Sequence, residues 1–163
     1  MLDLVHNAYR GEASRVGWTT EADLLDGQRT DEQELDDILA ADGSVLLLAE
    51  TVDGAGAAEL VGCCHVQLLH DGTALLGMFA VRPQRQGGGV GRALITEAER
   101  IAAPSGASEM HMHVLHQREV LLAWYARLGY VPTGAVEPFP YGNERFGLPR
   151  RPDLQFVVIA KPI

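Results

Sequence analysis

Leu75-Leu76-Gly77-Met78-Phe79-Ala80-Val81, then Arg82-Pro83-Gln84-Arg85 and Gln86-Gly87-Gly88-Gly89-Val90-Gly91-Arg92, is the stretch from which the fold can be read. The apolar run reads as a buried strand, and Pro83 ends it because proline has no N–H for a sheet ladder. Beyond the glycine turn, Leu94, Ile95, Ala98, Ile101 and Ala102 recur at helical spacing. Strand, glycine turn and helix in that order aim several backbone N–H groups and a helix N-terminus at one place. Such a place suits an anion, most often phosphate. A glycine cluster alone reads as a flexible hinge. Here the flanking elements, with Arg82, Arg85 and Arg92 beside the turn, favour the anion site.

A chain of 163 residues is long enough for a single domain, 1–163, with a real core. No apolar run reaches the roughly 18–20 residues of a membrane span. Met1-Leu2-Asp3-Leu4 is no basic leader, so no secretory signal and no membrane partner are expected. Cys63 and Cys64 are adjacent in a strand-like run, so their side chains point to opposite faces and a disulfide framework is not expected. That usage favours a reducing, cytoplasmic setting. The net charge of −9 argues against nucleic acid as a partner. Residues 1–60 carry 14 acidic side chains against 3 arginines, whereas the remainder is close to neutral. The acidic third reads as a solubility feature or, more pointedly, as the attraction for a cationic ligand.

In chain order, residues 2–9 read as a helix stopped at Gly11. Thr20 with Asp23 three residues on resembles a capping box opening a helix. Trp18 before it reads as a core plug or as an aromatic pocket wall. A short amphipathic helix is expected over 31–41, strands over 44–52 and 60–69 across a Gly/Ala-rich turn at 53–58, and a tight turn at Asp71-Gly72. These strands and 75–81 form an antiparallel meander on the simplest topology. The strand at 110–114, arriving after strand and helix, should lie parallel to 75–81. Then follow a helix over 118–128 ended by Gly129, and strands at 130–133 and 155–161. The fold class is α/β, a mixed, mostly antiparallel sheet with helices on both faces.

Three glycine-loop chemistries can be compared. A nucleotide P-loop needs Gly-Lys-Ser/Thr, and the chain's single lysine is Lys161. A dinucleotide fingerprint needs G-x-G-x-x-G/A, and Gly89-Val90-Gly91-Arg92-Ala93-Leu94 ends on leucine. The third fits. Gln86-x-x-Gly89-x-Gly91 after its strand resembles motif A of the GNAT superfamily, the acetyl-CoA-dependent N-acetyltransferases. Leu121-Leu122-Ala123-Trp124-Tyr125-Ala126-Arg127-Leu128-Gly129-Tyr130 is similar to that family's motif B. The resemblance spans about residues 44–133.

The resemblance implies a sheet splayed between the strands at 75–81 and 110–114, with the pantetheine arm of acetyl-CoA along Phe79, Ala80 and Val81. The pyrophosphate would then rest on Gln86, Gly87, Gly88, Gly89, Val90, Gly91 and Arg92. It implies a tyrosine acid at Tyr125, with the N–H of Phe79 or a neighbour stabilising the oxyanion. Two positions depart from the family: Arg118 stands where asparagine often touches the cofactor, where it is expected to reach a phosphate. His113 stands where some members carry a glutamate base. A histidine suits that role near neutral pH. His111, His113 and His116 also read as metal ligands or as plain polar strand residues, and no metal site is expected. Glu50 and His65 are reserve bases. The family's first strand is missing ahead of the first helix, which leaves room for pairing with a second copy as a homodimer. The expected activity is acetyl transfer to a primary amine, of a small molecule or a peptide N-terminus. The alternative is a degenerate module of this fold that senses acyl-CoA and transfers nothing.

Overall fold

The computed structural model describes residues 1–52 and 54–163; Asp53, in the expected turn at 53–58, lies outside them. Helix α1 (Leu2–Tyr9) buries Leu4, Val5, Ala8 and Tyr9, a stripe at helical spacing. Arg10 ends it in an extended conformation, and Gly11 opens the single turn of α2 (Gly11–Ser14) instead of closing α1. The helix expected after Thr20 does not form. Thr20 Oγ1 accepts from the Ala22 N–H at 3.0 Å, a local turn, while the Asp23 carboxylate goes to Arg15 at 2.7 Å. The chain instead enters the short strand β1 (Leu25–Asp26), followed by α3 (Glu32–Ala40), whose Asp31 cap accepts from the Glu34 N–H.

Strands β2 (Ser44–Val52), β3 (Ala58–Leu68) and β4 (Thr73–Val81) form the expected antiparallel meander. Helix α4 (Val90–Ala102) and strand β5 (Glu109–Leu115) follow, β5 parallel to β4. Helix α5 (Glu119–Arg127) is closed by Gly129 at φ +96°, with the Tyr130 N–H turned back onto the Tyr125 carbonyl. Strand β6 (Val131–Pro138), longer than anticipated, leads into β7 (Leu148–Pro149) and β8 (Gln155–Pro162). The six-stranded sheet runs β2-β3-β4-β5-β8-β6, and β1 pairs with β7 in a separate two-stranded ribbon. Among the described residues no strand precedes α1, and β2 is a sheet edge with Leu48 and Val52 exposed.

Strand alternation sorts the core. Cys64, Val66, Leu76, Met110, Met112 and Val114 pack with Leu94, Ile95 and Ala98 of α4 and with Leu121 and Tyr125 of α5. On the opposite face Cys63, Met78 and Ala80 pack against Leu4, Val5 and Ala8 of α1. Both cysteines are free and buried on opposite faces, as their adjacency requires. Lys161 pairs with Glu99 at 2.8 Å, and that carboxylate also accepts from the Tyr130 hydroxyl. No helix among the described residues is long and apolar enough to cross a membrane.

Candidate active site

Two interruptions shape the sheet. Strand β4 carries a bulge against β3, where the register passes from Cys63↔Ala80 to His65↔Gly77, and Met78 sits there at φ +42°. A positive φ is unusual for methionine, and a bulge bends the strand that holds it. On its other edge, β4 pairs with β5 only at Thr73↔Glu109, Ala74↔Met110 and Leu75↔His111. From Leu76 onward the strands part, while β5 stays paired with β8 through Leu115↔Phe156. This is the expected splay.

The parting opens a cavity of about 610 Å³ lined by Leu75–Phe79 of β4 and Met112–Leu115 of β5. A second, smaller space of about 60 Å³ lies against the glycine loop, lined by Trp18, Val81, Gln86, Gly87, Gly91 and Trp124 among others. Tyr9, Phe79, Arg118, Leu121 and Tyr125 line both. They form the neck between the two spaces.

The glycine loop behaves as its sequence requires. Gly87 and Gly89 adopt φ +81° and +91°, and Gly89 is the α4 cap, with no side chain to satisfy the first helical N–H groups. The backbone N–H groups of residues 87–92 find no acceptor among the described residues. They point a row of donors at the helix start. At Gly91 a Cβ would come 3.2 Å from the Phe79 ring and 3.6 Å from Trp124, so glycine lets α4 approach the neck. Arg82 and Arg85 are both drawn to Glu59, whereas Arg92 is exposed and has no ion pair among the described residues. Gln86 acts as a clamp: its Oε1 accepts from the Trp18 N–H at 3.0 Å and its Nε2 donates to the Val81 carbonyl at 3.2 Å. Trp18 is therefore a wall and not a core plug, 43% exposed and 6.0 Å from the Trp124 ring.

Tyr125 lies within aromatic contact of Trp124, Phe79 and Tyr130, only 4% exposed. Its hydroxyl has no hydrogen-bond partner among the described residues. Burial above all pushes its pKa up, so it holds its proton throughout the neutral range. His113 faces the larger cavity from β5, with Nδ1 3.4 Å from Glu137 Oε2 on β6, and both residues line that space. His65 lines it from β3, its Nε2 2.8 Å from Ser44 Oγ, and burial lowers its pKa against the opposing pull of Glu34. The other expected groups disperse. Glu50 is exposed on β2 outside both spaces, His111 pairs with Glu109 at the closed end of the splay, and His116 is exposed. Among the described residues no group of three His, Cys, Asp or Glu side chains is placed to hold a metal ion.

Arg118 lines the small space at the glycine loop as well as the larger cavity. Its terminal nitrogens donate to Glu21 Oε1 at 2.8 Å and Thr19 Oγ1 at 2.9 Å, and its side chain is 9% exposed. It braces the neck. Arg10 holds the other oxygen of Glu21, and Tyr9 donates its hydroxyl to the Phe79 carbonyl at 2.7 Å. The network ties the first helices to the bulge. Tyr9 lies 70 residues from Phe79 and Glu21 lies 97 from Arg118, with no motif to announce these contacts. Burial would push the Glu21 carboxyl up, but the Arg118 and Arg10 guanidinium groups outweigh it and hold its pKa below the usual range.

A folded-state pKa below the unfolded value gives stability that is present above the unfolded value, about 4.3, and is lost as pH falls through the folded one. Glu21→Ala is expected to cost about 3–5 kcal/mol in denaturant unfolding at pH 7, because two buried guanidinium groups lose the carboxylate they share. The acid-side fall of stability should flatten in the same variant.

A splayed mixed sheet, with a donor-rich glycine loop at one end of the gap and a buried tyrosine at its neck, is the arrangement that the two sequence motifs imply. Residues 5–130 match the model of the acetyltransferase (GNAT) family, and the chain belongs to it. No curated protein matches the chain. Among solved structures, it is similar to the IAA acetyltransferase from Bacillus cereus ATCC 14579, at 17% identity over 82% of this chain and 85% of that one, with a TM-score of 0.63. The ribosomal-protein-S18-alanine N-acetyltransferase from Escherichia coli is 19% identical over 82% of this chain and 77% of that one, with a TM-score of 0.61. An acetyltransferase from Bacillus subtilis in complex with CoA is 16% identical over 82% and 84%, also with a TM-score of 0.61. At such identities the likeness is one of fold.

Proposed function

We propose that the chain transfers an acetyl group from acetyl-CoA to a primary amine, of a small molecule or a peptide N-terminus, by direct attack in a ternary complex. The observation that carries this reading is the neck: Phe79 and Tyr125 line both the space at the glycine loop and the larger cavity. A thioester arriving from one side there meets an amine arriving from the other. The N–H groups of residues 87–92 cradle the pyrophosphate, with Arg92 as the free cation beside them. The pantetheine arm follows the edge Phe79-Ala80-Val81 that β5 leaves unpaired, with Trp18, Trp124 and Arg118 as walls.

The amine attacks the thioester carbonyl, and the oxyanion is stabilised by the Phe79 N–H or a neighbour at the bulge. Collapse of the tetrahedral intermediate breaks the C–S bond, and the departing thiolate takes the Tyr125 proton. His113, with Glu137 behind it, accepts the proton the amine loses. His113→Ala is expected to lower kcat/KM about a hundredfold, and Glu137→Gln by less, in steady-state assays at neutral pH. The free, buried thiols of Cys63 and Cys64 fit a cytoplasmic setting.

Initial rates measured while acetyl-CoA and amine are both varied test direct attack. Intersecting lines and an unmodified protein by intact mass support it; parallel lines with an acetylated protein contradict it. Acetyl-CoA binding without transfer to any amine supports the sensing module instead.

A further inference from the structure

The larger cavity is lined by three guanidinium groups, Arg10, Arg29 and Arg118, and three carboxylates, Glu21, Glu34 and Glu137, but Glu21 is shared by two of the arginines and Glu137 stands beside His113. Both oxygens of Glu21 are taken, one by Arg10 and one by Arg118. Arg29 has no carboxylate within ion-pair distance among the described residues. Its guanidinium lies over the Tyr9 ring, 5.0 Å from the centroid, and Glu21 and, less strongly, Glu34 act on it through space. The Nε–H groups of Arg10 and Arg118 are buried with no acceptor among the described residues. Arg29 therefore lines the cavity without a carboxylate of its own among the described residues, a guanidinium that an anion can pair.

We propose that the acceptor is a primary amine bearing a carboxylate a few bonds from its nitrogen on an apolar body, and that Arg29 holds the carboxylate. This rests on the larger cavity being the acceptor site of the proposed reaction. The planar fork of Arg29 matches a carboxylate in two parallel hydrogen bonds. Tyr9 sets the distance. Arg29 covers its ring, and its hydroxyl donates to the Phe79 carbonyl, so the cation stands one aromatic side chain from the bulge where the amine must attack. An amino carboxylate spans that interval. Leu25, Phe139, Phe146 and Phe156 line the remainder and suit an apolar or aromatic substituent. The acidic first third of the chain thus supplies this cavity with Arg10 and Arg29 as well as with Glu21 and Glu34.

The test is calorimetric and independent of turnover. Coenzyme A is titrated first. N-acetyl-L-phenylalanine and N-acetyl-L-phenylalaninamide, product-like probes differing in one charge, are then titrated into the free and the coenzyme-loaded protein. The acid is expected to bind at least tenfold tighter than the amide, a charge-assisted pair being about twice as strong as a neutral one. Arg29→Gln should erase that difference and Arg29→Lys should keep part of it. Equal binding of acid and amide, no binding of the acid, a preference that survives Arg29→Gln, or tighter binding of spermidine than of the acid overturns the proposal. A protein that binds coenzyme A yet shows no preference loses this inference and keeps the acetyl-transfer reading. A protein that does not bind coenzyme A loses that reading, and the comparison on the free protein still decides the role of Arg29.

Discussion

Gly89→Asp is expected to abolish measurable binding of coenzyme A, a loss of at least a hundredfold in affinity by calorimetric titration. Two independent effects combine. Gly89 holds φ +91°, a conformation that costs an L-residue about 1–2 kcal/mol, so the loop would shift or strain. The new carboxylate would also sit among the N–H groups of residues 87–92, where it satisfies them itself and repels a pyrophosphate. Gly89→Ala separates the two, since it keeps the strain without the charge and should lose far less affinity. Nothing lies within 4 Å of a Cβ at Gly89, so steric overlap with the rest of the fold does not confuse the comparison. Normal affinity in the aspartate variant would show that the pyrophosphate rests elsewhere.

Tyr125→Phe should lower kcat by about a hundredfold to ten-thousandfold, the usual worth of a positioned proton donor, and leave coenzyme A affinity within about twofold. The substitution is unusually clean here. The hydroxyl has no hydrogen-bond partner to strand, and phenylalanine keeps the ring contacts with Trp124 at 5.1 Å and Tyr130 at 6.0 Å. Stability should therefore change little. An unchanged kcat would remove Tyr125 from the chemistry and leave it a wall of the neck.

The parts of this fold that could be read in advance are those where local pattern and tertiary role agree. The run Leu75–Val81, the glycines and the stripe Leu94–Ala98 each specify their own element, and the right-handed crossover then places β5 beside β4. Gly129 was legible for the same reason, because the C-terminal stop of α5 is written in one residue. The bulge at Met78 was not. Nothing in Gly77-Met78-Phe79 marks methionine as the residue with positive φ, since the bulge is set by its pairing with Cys63 and His65 across the sheet. Thr20 misled for a physical reason: a hydroxyl that caps a helix also caps a turn, and the choice fell to Glu21, drawn inward by two guanidinium groups. That same pull fixed Arg118. Its hydrogen bond to a carboxylate 97 residues earlier in the chain has no local signature. The β1–β7 ribbon and Glu137 beside His113 belong with these, being contacts between distant segments that carry no local signature.

In the proposed reaction donor and acceptor meet at the neck. Release of free coenzyme A thiol from acetyl-CoA is therefore to be followed across a panel of primary amines and amino carboxylates. Release is expected to depend on the amine, to saturate with it, and to yield the N-acetylated product in equal amount. Tight binding of acetyl-CoA with no amine-dependent release from any member of the panel would contradict that reaction.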